Sequence, residues 1–172
     1  MEKNVVHAYI GCGKGKTTAA FGLALRALGH GEKVSIHQFL KQFISGEALF
    51  LRGHADIFCY GISGFYFSMT DAEKQLLKEK TLNGFKAAAK DLKSGEYFLI
   101  VLDEVLGAIE IGLIEVSDLI KALENTNNNT NVVITGRVLP KELYEKLDLI
   151  TEMKNVKHYY KKGIKSKRGI EY

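Results

Sequence analysis

The chain has 172 residues, 46% of them hydrophobic and one of them proline, so it can bury one sizeable core and offers no linker between two domains. No apolar run approaches the length of a membrane span, and the first predicted strand begins too early to leave room for a secretory signal, which predicts a cytoplasmic protein. The two cysteines, Cys12 and Cys59, have neither CxxC spacing nor a histidine cluster, so neither a disulfide framework nor a zinc site is indicated.

The formal net charge is +4, and the excess of positive charge is concentrated late in the chain. The residues concerned are Lys154, Lys157, Lys161, Lys162, Lys165, Lys167 and Arg168. Such a cluster is either a solvated face or a surface that attracts a polyanion. Because no recognisable RNA- or DNA-binding motif interleaves with it, the pattern favours a small polyanion such as ATP, and we expect no nucleic-acid partner.

A glycine-rich turn follows the first predicted strand, Val5 to Ile10, and opens a helical pattern over Thr17 to Leu28. It reads Gly11-Cys12-Gly13-Lys14-Gly15-Lys16-Thr17-Thr18. Glycines let backbone N–H groups converge on a phosphate chain, and the N-terminus of the following helix adds its free donors and the positive end of its dipole. We therefore predict that these eight residues bind nucleotide phosphates, with the Lys16 ammonium on the far phosphates and the Thr17 hydroxyl on Mg²⁺.

This turn is one residue shorter than the common G-x-x-x-x-G-K-[ST] pattern, because Ile10 stands where the first glycine should be. A shorter turn should wrap the phosphates differently from the turn of a kinase or GTPase. The reactive atom of the nucleotide therefore need not be the γ-phosphorus.

Three further predicted strands end in polar residues, and the carboxyl ends of strands in an open α/β sheet are where ligands bind. Val34 to Phe39 leads to Lys41, which is either a ligand to the nucleotide or an exposed lysine. Tyr97 to Leu102 leads to Asp103 and Glu104, which either hold Mg²⁺ or favour the start of a helix through its dipole. Val132 to Thr135 leads to Arg137, which is placed to meet a phosphate or a ligand carboxamide.

The remaining elements alternate in the same manner. Helices are predicted over residues 47–52, from the Thr70 capping box to Leu92, from Ser117 to Asn125 and from Pro140 to Leu147. Strands are predicted over 57–60, 149–153 and 156–160. The alternation predicts a single α/β domain over 1–172, a P-loop NTPase-like (RecA-like) mostly parallel sheet covered by helices on both faces.

An aromatic segment, Gly61 to Met69, precedes the long helix. Phe65, Tyr66 and Phe67 are consecutive, so they cannot all face one core. Either at least one of them points into a cleft or towards a partner, or the loop folds back under its own aromatic side chains. No histidine or aspartate is clearly placed to deprotonate a hydroxyl, His37 being a weak candidate, so the residues by themselves predict an ATP-using enzyme or switch.

The chain resembles the corrinoid adenosyltransferases that act on cob(I)alamin and cob(I)yrinic acid a,c-diamide, and the likeness covers nearly all of it. The segments that carry it are Gly11-x-Gly13-Lys14-Gly15-Lys16-Thr17-Thr18-Ala19-Ala20-Phe21-Gly22, Gly29-His30-Gly31, Gln38-Phe39-x-Lys41, Leu102-Asp103-Glu104, Thr135-Gly136-Arg137, Val156-Lys157-His158, Gly163-Ile164-Lys165 and Gly169-Ile170-Glu171-Tyr172. The short phosphate-binding turn is a feature of that family.

The resemblance implies that Co(I) of a corrinoid attacks C5′ of ATP and that triphosphate leaves. It gives Lys16 a catalytic role and makes Thr17 and Glu104, next to Asp103, the magnesium ligands. Phe65 and Phe67 match a Gly-Phe-x-Trp segment whose aromatic rings press against the lower face of the corrin, with Phe67 in the place of tryptophan. The resemblance also implies a homodimer and a reductase of Co(II), such as a flavoprotein, with no membrane involved.

Three other functions use some of the same features. A phosphotransferase or ATPase would release ADP or phosphate, and a nucleic-acid-stimulated ATPase would use the late basic cluster. A carrier would bind a corrinoid or nucleotide without turnover.

Overall fold

The computed structural model describes residues 4–41 and 45–170. Its strands are β1 Val6–Ile10, β2 Val34–Gln38, β3 Asp56–Cys59, β4 Leu99–Asp103, β5 Asn131–Thr135 and β6 Leu149–Glu152, and its α-helices are α1 Lys16–Gly29, α2 Gly46–Phe50, α3 Asp71–Ser94, α4 Val105–Glu110 and α5 Val116–Glu124. Short 3-10 helices cover Tyr66–Ser68, Lys141–Lys146 and Tyr159–Lys162. The closing Glu171 and Tyr172 of the quoted motif lie outside the described residues.

The six strands form one sheet in the order β3-β2-β4-β5-β1-β6. Every pair of neighbours is parallel, so the expectation of a mostly parallel sheet is confirmed. The strand that leads to the phosphate-binding turn is separated by β5 from the strand that ends in Asp103. Because all six strands run the same way, the residues that follow β1, β2, β4 and β5 lie along a single edge of the sheet.

Helices cover both faces of the sheet, as predicted. On one face α3, α4 and α5 pack through residues such as Leu92, Leu106 and Leu119. On the other face α1 packs through Phe21 and Ala24 against the sheet, beside α2. This two-sided burial explains why the central strands β2 and β4 are buried at every position.

The start of the long helix α3 is specified locally, and the prediction of a capping box is confirmed. The Thr70 hydroxyl accepts a hydrogen bond from the Glu73 backbone N–H at 3.3 Å, and the Glu73 carboxylate accepts one from the Thr70 backbone N–H at 2.7 Å. The helix ends at Ser94, and Gly95 follows it with a φ of 72°. Glycine adopts this left-handed conformation without steric cost.

After β5 one predicted strand is wrong, and one predicted helix is found as a slightly shorter helix of the 3-10 type. Pro140 precedes a 3-10 helix, Lys141–Lys146, because its own ψ of 138° is extended and not helical. Residues 156–158 form no strand, because the Val156 N–H bonds locally to the Lys154 carbonyl at 3.1 Å and its side chain is 95% exposed. The chain turns away after β6, which remains an edge of the described sheet.

One helix boundary differs from expectation, and one helix is additional to those predicted. Helix α5 starts at Val116, after Glu115, so Ser117 lies inside the helix and does not cap it. Helix α4 directly follows Glu104 and was not predicted, although Val105, Leu106 and Ala108 are all buried. Its six residues are too few for a periodic pattern to identify it.

Candidate functional site

The phosphate-binding turn is packed directly against the chain that follows β6. Gly11 and Gly15 both have a φ of 105°, which non-glycine residues rarely adopt. The Gly13 N–H donates to the Met153 carbonyl oxygen at 2.7 Å, and a Cβ atom on Gly11 would lie 2.4 Å from that same oxygen. The glycines are therefore required by contact within the protein as well as by phosphate approach. The sequence gives no signal of this contact.

Lys16 lies at the start of α1 with its ammonium folded into the turn. Its Nζ donates to the Gly11 carbonyl at 2.8 Å and to the Gly13 carbonyl at 2.9 Å. These carbonyls hold a positive charge inside the curve of the turn, which is where a phosphate chain would be bound. Cys12 and Lys14 are exposed, and the Lys14 Nζ donates to the Tyr159 hydroxyl at 2.9 Å.

The next predicted site residue, Thr18, faces α2. Its hydroxyl donates to the Glu47 carboxylate at 3.2 Å. This contact ties the first turn of α1 to α2, an element that sequence reasoning did not assign to the site.

Four elements bring their polar residues together at a buried carboxylate, which we call the Asp103 cluster. Asp103, at the end of β4, is fully buried. Its Oδ1 accepts from the Thr17 hydroxyl at 3.0 Å and from the Thr135 hydroxyl at 2.8 Å. Its Oδ2 accepts from the Gln38 amide at 3.1 Å and from the Lys41 ammonium at 2.6 Å. The ammonium also donates to the Thr17 hydroxyl oxygen at 2.6 Å.

Glu104 is in an unusual backbone conformation beside this cluster. Its φ is 60°, and its backbone N–H donates to the Thr135 hydroxyl at 2.8 Å. The side chain lines the cavity next to the phosphate-binding turn. Burial raises the pKa of the Glu104 carboxyl, and the neighbouring Asp103 raises it further, against the opposing effect of nearby cationic side chains.

The donor atoms of the cluster suit a magnesium ion. Mg²⁺ prefers oxygen ligands and in nucleotide sites uses one or two carboxylates, with waters and phosphates completing its shell. The Lys41 ammonium already lies between the Thr17 hydroxyl oxygen and the Asp103 carboxylate, so a cationic group fits between these oxygens. No group of three or more histidine, cysteine or acidic residues in the described ranges could hold a metal by itself.

A cavity of about 560 Å³ opens beside these residues. Its lining includes Lys14 to Thr18, Lys41, Ser45 to Glu47, Glu104, Gly169 and Ile170. The contributions of α2 and of Gly169 and Ile170 to a shared cavity are long-range contacts that sequence reasoning missed. A second cavity of about 560 Å³ at the opposite edge of the sheet, lined by residues such as His7, Arg26 and Phe98, contains no predicted site residue.

Arg137 follows β5 at the expected edge of the sheet. Its carbonyl oxygen accepts from the Gly11 N–H at 3.0 Å, so its backbone touches the phosphate-binding turn. Its side chain is exposed and does not line the cavity. Its charge is nevertheless close enough to lower the pKa of Glu104, against the larger effects of burial and Asp103.

The aromatic segment exposes two of its three rings. Phe65 is 86% exposed and Phe67 is 88% exposed, whereas Tyr66 is partly buried and packs against the core. The first residue of the segment contacts the Asp103 cluster: the Gly61 N–H donates to the Lys41 carbonyl at 3.2 Å, and a Cβ atom on Gly61 would lie 2.4 Å from the Lys41 carbonyl carbon. The backbone of Lys41 and the start of the aromatic segment are thus in direct contact.

His37, the weak candidate for a base, is fully buried and does not line the cavity. Its Nδ1 lies 2.8 Å from the Tyr60 hydroxyl, and its Nε2 lies 3.1 Å from the Asp91 carboxylate. A carboxylate can only accept, so the proton of the neutral ring is on Nε2 and the Tyr60 hydroxyl donates to Nδ1. Burial lowers the pKa of His37 to about 4, although Asp91 opposes the shift. His37 is therefore a neutral core residue.

The strand order, the phosphate-binding turn and the Asp103 cluster define a P-loop nucleotide-binding α/β domain. A solved structure of EssC (ATPases 2 and 3) from Geobacillus thermodenitrificans has the same fold, with a TM-score of 0.52 and 16% identity over 92% of this chain. This chain covers only 34% of that one, so the likeness concerns the fold alone.

The family of ATP:corrinoid adenosyltransferases BtuR/CobO/CobP matches residues 2–172, and the chain belongs to it. A corrinoid adenosyltransferase from Pseudomonas aeruginosa is 36% identical over 99% of this chain and 85% of its own length. The corrinoid adenosyltransferases of Escherichia coli and Salmonella typhimurium are 31% and 32% identical, each over 99% of this chain and 87% of their own length.

Family membership makes the chain a transferase whose substrates are ATP and a corrinoid, as the resemblance of its motifs implied. The structure adds where the motif residues lie relative to one another. None of the helices in the described ranges combines the length and apolar character that a membrane crossing needs.

Proposed function

We propose that this chain transfers the 5′-deoxyadenosyl group of ATP to Co(I) of a corrinoid and releases triphosphate. The observation that carries this proposal is the backbone contact between Gly61 and Lys41, which joins the Asp103 cluster to the segment that carries the exposed Phe65 and Phe67 rings. An enzyme that only hydrolyses ATP has no need of two exposed aromatic rings, Phe65 and Phe67, in a segment whose first residue contacts Lys41. A large, flat apolar co-substrate such as a corrin does need such a surface.

The residues of the turn, Gly11 to Thr18, hold the triphosphate. The Lys16 ammonium, already inside the curve of the turn, faces the negative charge that builds up on the triphosphate as the bond to C5′ breaks. Lys41 and Arg137 add positive charge at the same edge of the sheet. Co(I) is itself a strong nucleophile with no proton to lose, so the protein has only to orient C5′ towards cobalt and stabilise the leaving group.

Thr17, Asp103 and Glu104 hold Mg²⁺ with the nucleotide. When bound, the ion neutralises charge on the triphosphate oxygens. The Thr135 hydroxyl and the Gln38 amide fix the orientation of the Asp103 carboxylate, so its oxygens are already aimed before the nucleotide arrives.

Phe65 and Phe67 press against the lower face of the corrin. By excluding an axial base they favour four-coordinate Co(II), which is easier to reduce. The high exposure of both rings supports this role, because a ring that is exposed without substrate can be covered by it. Phe67 offers less area than tryptophan and no indole N–H, so neither exposed ring carries a hydrogen-bond donor.

The proposed enzyme has four further features. Residues 1–172 form one domain, and the enzyme works as a homodimer. A reductase such as a flavoprotein supplies the electron that converts Co(II) to Co(I). The location is the cytoplasm, where ATP is available.

An anaerobic assay with Mg-ATP and chemically reduced cobalamin tests the reaction. The absorbance of Co(I) should fall as adenosylcobalamin and an equimolar amount of triphosphate form. Steady release of ADP and phosphate, with no adenosylation of any corrinoid, would contradict the proposal.

One observation favours a second activity, ATP hydrolysis. Glu104 lines the cavity with a raised pKa, which is the environment of a carboxylate that activates water. The phosphate product distinguishes the two activities, because hydrolysis yields ADP and phosphate whereas adenosyl transfer yields intact triphosphate. Loss of ADP formation in Glu104→Gln, at a magnesium concentration high enough to restore adenosyl transfer, would assign hydrolysis to this carboxylate.

A further inference from the structure

We infer that Lys41 is an internal counter-ion that fills the magnesium position of the nucleotide-free enzyme and leaves it when magnesium and ATP bind. The inference rests on the proposed function, because it takes Thr17 and Asp103 as magnesium ligands. Its basis is the position of the Lys41 Nζ, which lies 2.6 Å from the Thr17 hydroxyl oxygen and 2.6 Å from Asp103 Oδ2. A divalent ion bound by these two oxygens would have to occupy the place of the ammonium.

Burial explains why a cation is needed there. Asp103 is fully buried, and an ionised carboxylate that is removed from water requires a compensating charge. The Gln38, Thr17 and Thr135 side chains supply hydrogen bonds to the carboxylate but no charge. Among the described residues, Lys41 is the cationic side chain that forms an ion pair with Asp103.

The backbone of Lys41 itself contacts Gly61, so displacement of the ammonium requires movement of the side chain alone. The Gly61 N–H bonds to the Lys41 carbonyl, and the two backbones are in close contact. The preceding residue, Leu40, has a φ of 57°, which is an unfavourable conformation for a residue with a Cβ atom. This conformation directs the chain so that Lys41 lines the cavity with its side chain 27% exposed. The ammonium can therefore turn from Asp103 into the cavity by side-chain rotation.

This arrangement makes magnesium and the nucleotide depend on each other. Magnesium alone has to displace an ion pair, whereas magnesium with ATP offers the displaced ammonium a triphosphate to bind. Each ligand then raises the affinity of the other by the same factor. After transfer, the return of Lys41 to Asp103 favours the departure of magnesium with triphosphate.

The test measures Mn²⁺ binding to the nucleotide-free protein by electron paramagnetic resonance. If the ammonium fills the position for nine-tenths of the time or more, Lys41→Met should bind Mn²⁺ about tenfold or more tightly than the wild type. Added Mg²⁺ should likewise raise the melting temperature of Lys41→Met more than that of the wild type. If Lys41→Met does not fold, Lys41→Gln replaces it, because its amide can still donate to Asp103 without charge.

A matched control removes a different positive charge from the same cavity. The ammonium of Lys16 bonds to carbonyls of the turn and not to Asp103, so Lys16→Gln should raise the affinity for Mn²⁺ much less. An equal increase in both variants would mean a general effect of charge and would overturn the inference. Equal affinity in Lys41→Met and the wild type would overturn it too.

A double variant separates this inference from the proposed function. Addition of Asp103→Asn to Lys41→Met should abolish the gained binding of Mn²⁺, and binding that persists would mean that the ion is held elsewhere. Adenosyl transfer by the wild type does not depend on that result. If the wild type transfers adenosyl but Lys41→Met gains no affinity for Mn²⁺, only the role of Lys41 is refuted. If Lys41→Met gains affinity for Mn²⁺ but the wild type transfers no adenosyl, the proposed reaction is refuted.

Discussion

A Cβ atom on Gly13 would lie 2.7 Å from the carbonyl oxygen of Met153, the same oxygen that accepts the Gly13 N–H. The phosphate-binding turn is therefore shaped partly by the chain that follows β6. The backbone of Met153 also bonds back to β1, because its N–H donates to the Ile10 carbonyl at 2.8 Å. Any side chain at position 13 would have to displace the Met153 backbone, which these hydrogen bonds hold in place.

Gly13→Ala should therefore reduce ATP affinity by about tenfold or more, which corresponds to roughly 1.4 kcal/mol of distortion in the turn. Isothermal titration with ATP measures the affinity. Gly22→Ala is the matched control, because a Cβ atom there would meet nothing within 4 Å and the site lies inside α1. That control should raise the free energy of unfolding by about 0.5–1 kcal/mol. Unchanged ATP affinity in Gly13→Ala would contradict the prediction.

Lys16→Ala should lower the rate of adenosyl transfer by about 100-fold or more, because it removes a charge aimed at the leaving triphosphate. Lys14→Ala should cost much less, because the Lys14 ammonium bonds to the Tyr159 hydroxyl on the exposed side of the turn. Single-turnover kinetics with chemically reduced cobalamin compare the two. A larger loss in Lys14→Ala than in Lys16→Ala would show that the charges are assigned the wrong way round.

Phe65→Ala should leave ATP affinity unchanged and change the free energy of unfolding by less than about 0.5 kcal/mol, because the ring is 86% exposed. It should slow the reaction that starts from Co(II) with a reductase far more than the reaction that starts from Co(I). The measurement is the ratio of the rate from Co(II) to the rate from Co(I), in the variant and in the wild type. Tyr66→Ala serves as the contrast, since this ring packs against the core and its loss should lower stability. Equal slowing of both reactions by Phe65→Ala would argue against the corrin contact.

Glu104→Gln should weaken the apparent affinity for Mg²⁺ in the transfer assay by about 10- to 100-fold. It should also stabilise the free protein at neutral pH. Burial raises the pKa of this carboxyl, so its ionised form destabilises the fold above that pKa, and the cost disappears as the pH falls. Melting temperatures should differ at pH 8 and converge in acid. The control Glu47→Gln, in α2, should change the Mg²⁺ affinity and the melting temperature much less. If the gain in stability of Glu104→Gln became larger in acid, the raised pKa of Glu104 would be contradicted.

His37 should make the protein sensitive to mild acid. Its pKa falls from 6.5 to about 4 on burial, so between these values the unfolded chain binds a proton that the folded chain does not. Stability is therefore lost as the pH falls below 6.5, by about 2 kcal/mol at pH 5. Urea titrations at pH 7.5 and 5 measure the loss, which should be smaller in His37→Gln. An identical loss in the variant would assign the pH dependence to other groups.

Short stretches of sequence were enough to predict the local features of the structure. The phosphate-binding turn, the start of α3 and the buried strands were predictable because glycine geometry, capping and apolar runs act over a few residues. The rule that parallel strands end along one edge then placed Thr17, Lys41 and Asp103 near one another. The family followed from motifs spread over the whole chain, each of them short.

Only the tertiary structure decided which atoms of those residues meet. The contact of Met153 with Gly11 and Gly13, and of Gly61 with Lys41, joins segments far apart in sequence, and such contacts leave no periodicity behind. The same reason explains the wrong strand at residues 156–160, since an apolar run becomes a strand only where a partner strand is available. The sequence by itself determined the chemical groups and the edge of the sheet on which they lie. The packing of distant segments decided that the Lys41 ammonium lies between the Thr17 hydroxyl and the Asp103 carboxylate and that Gly61 contacts the Lys41 backbone, because burial and charge pairing are properties of the folded chain.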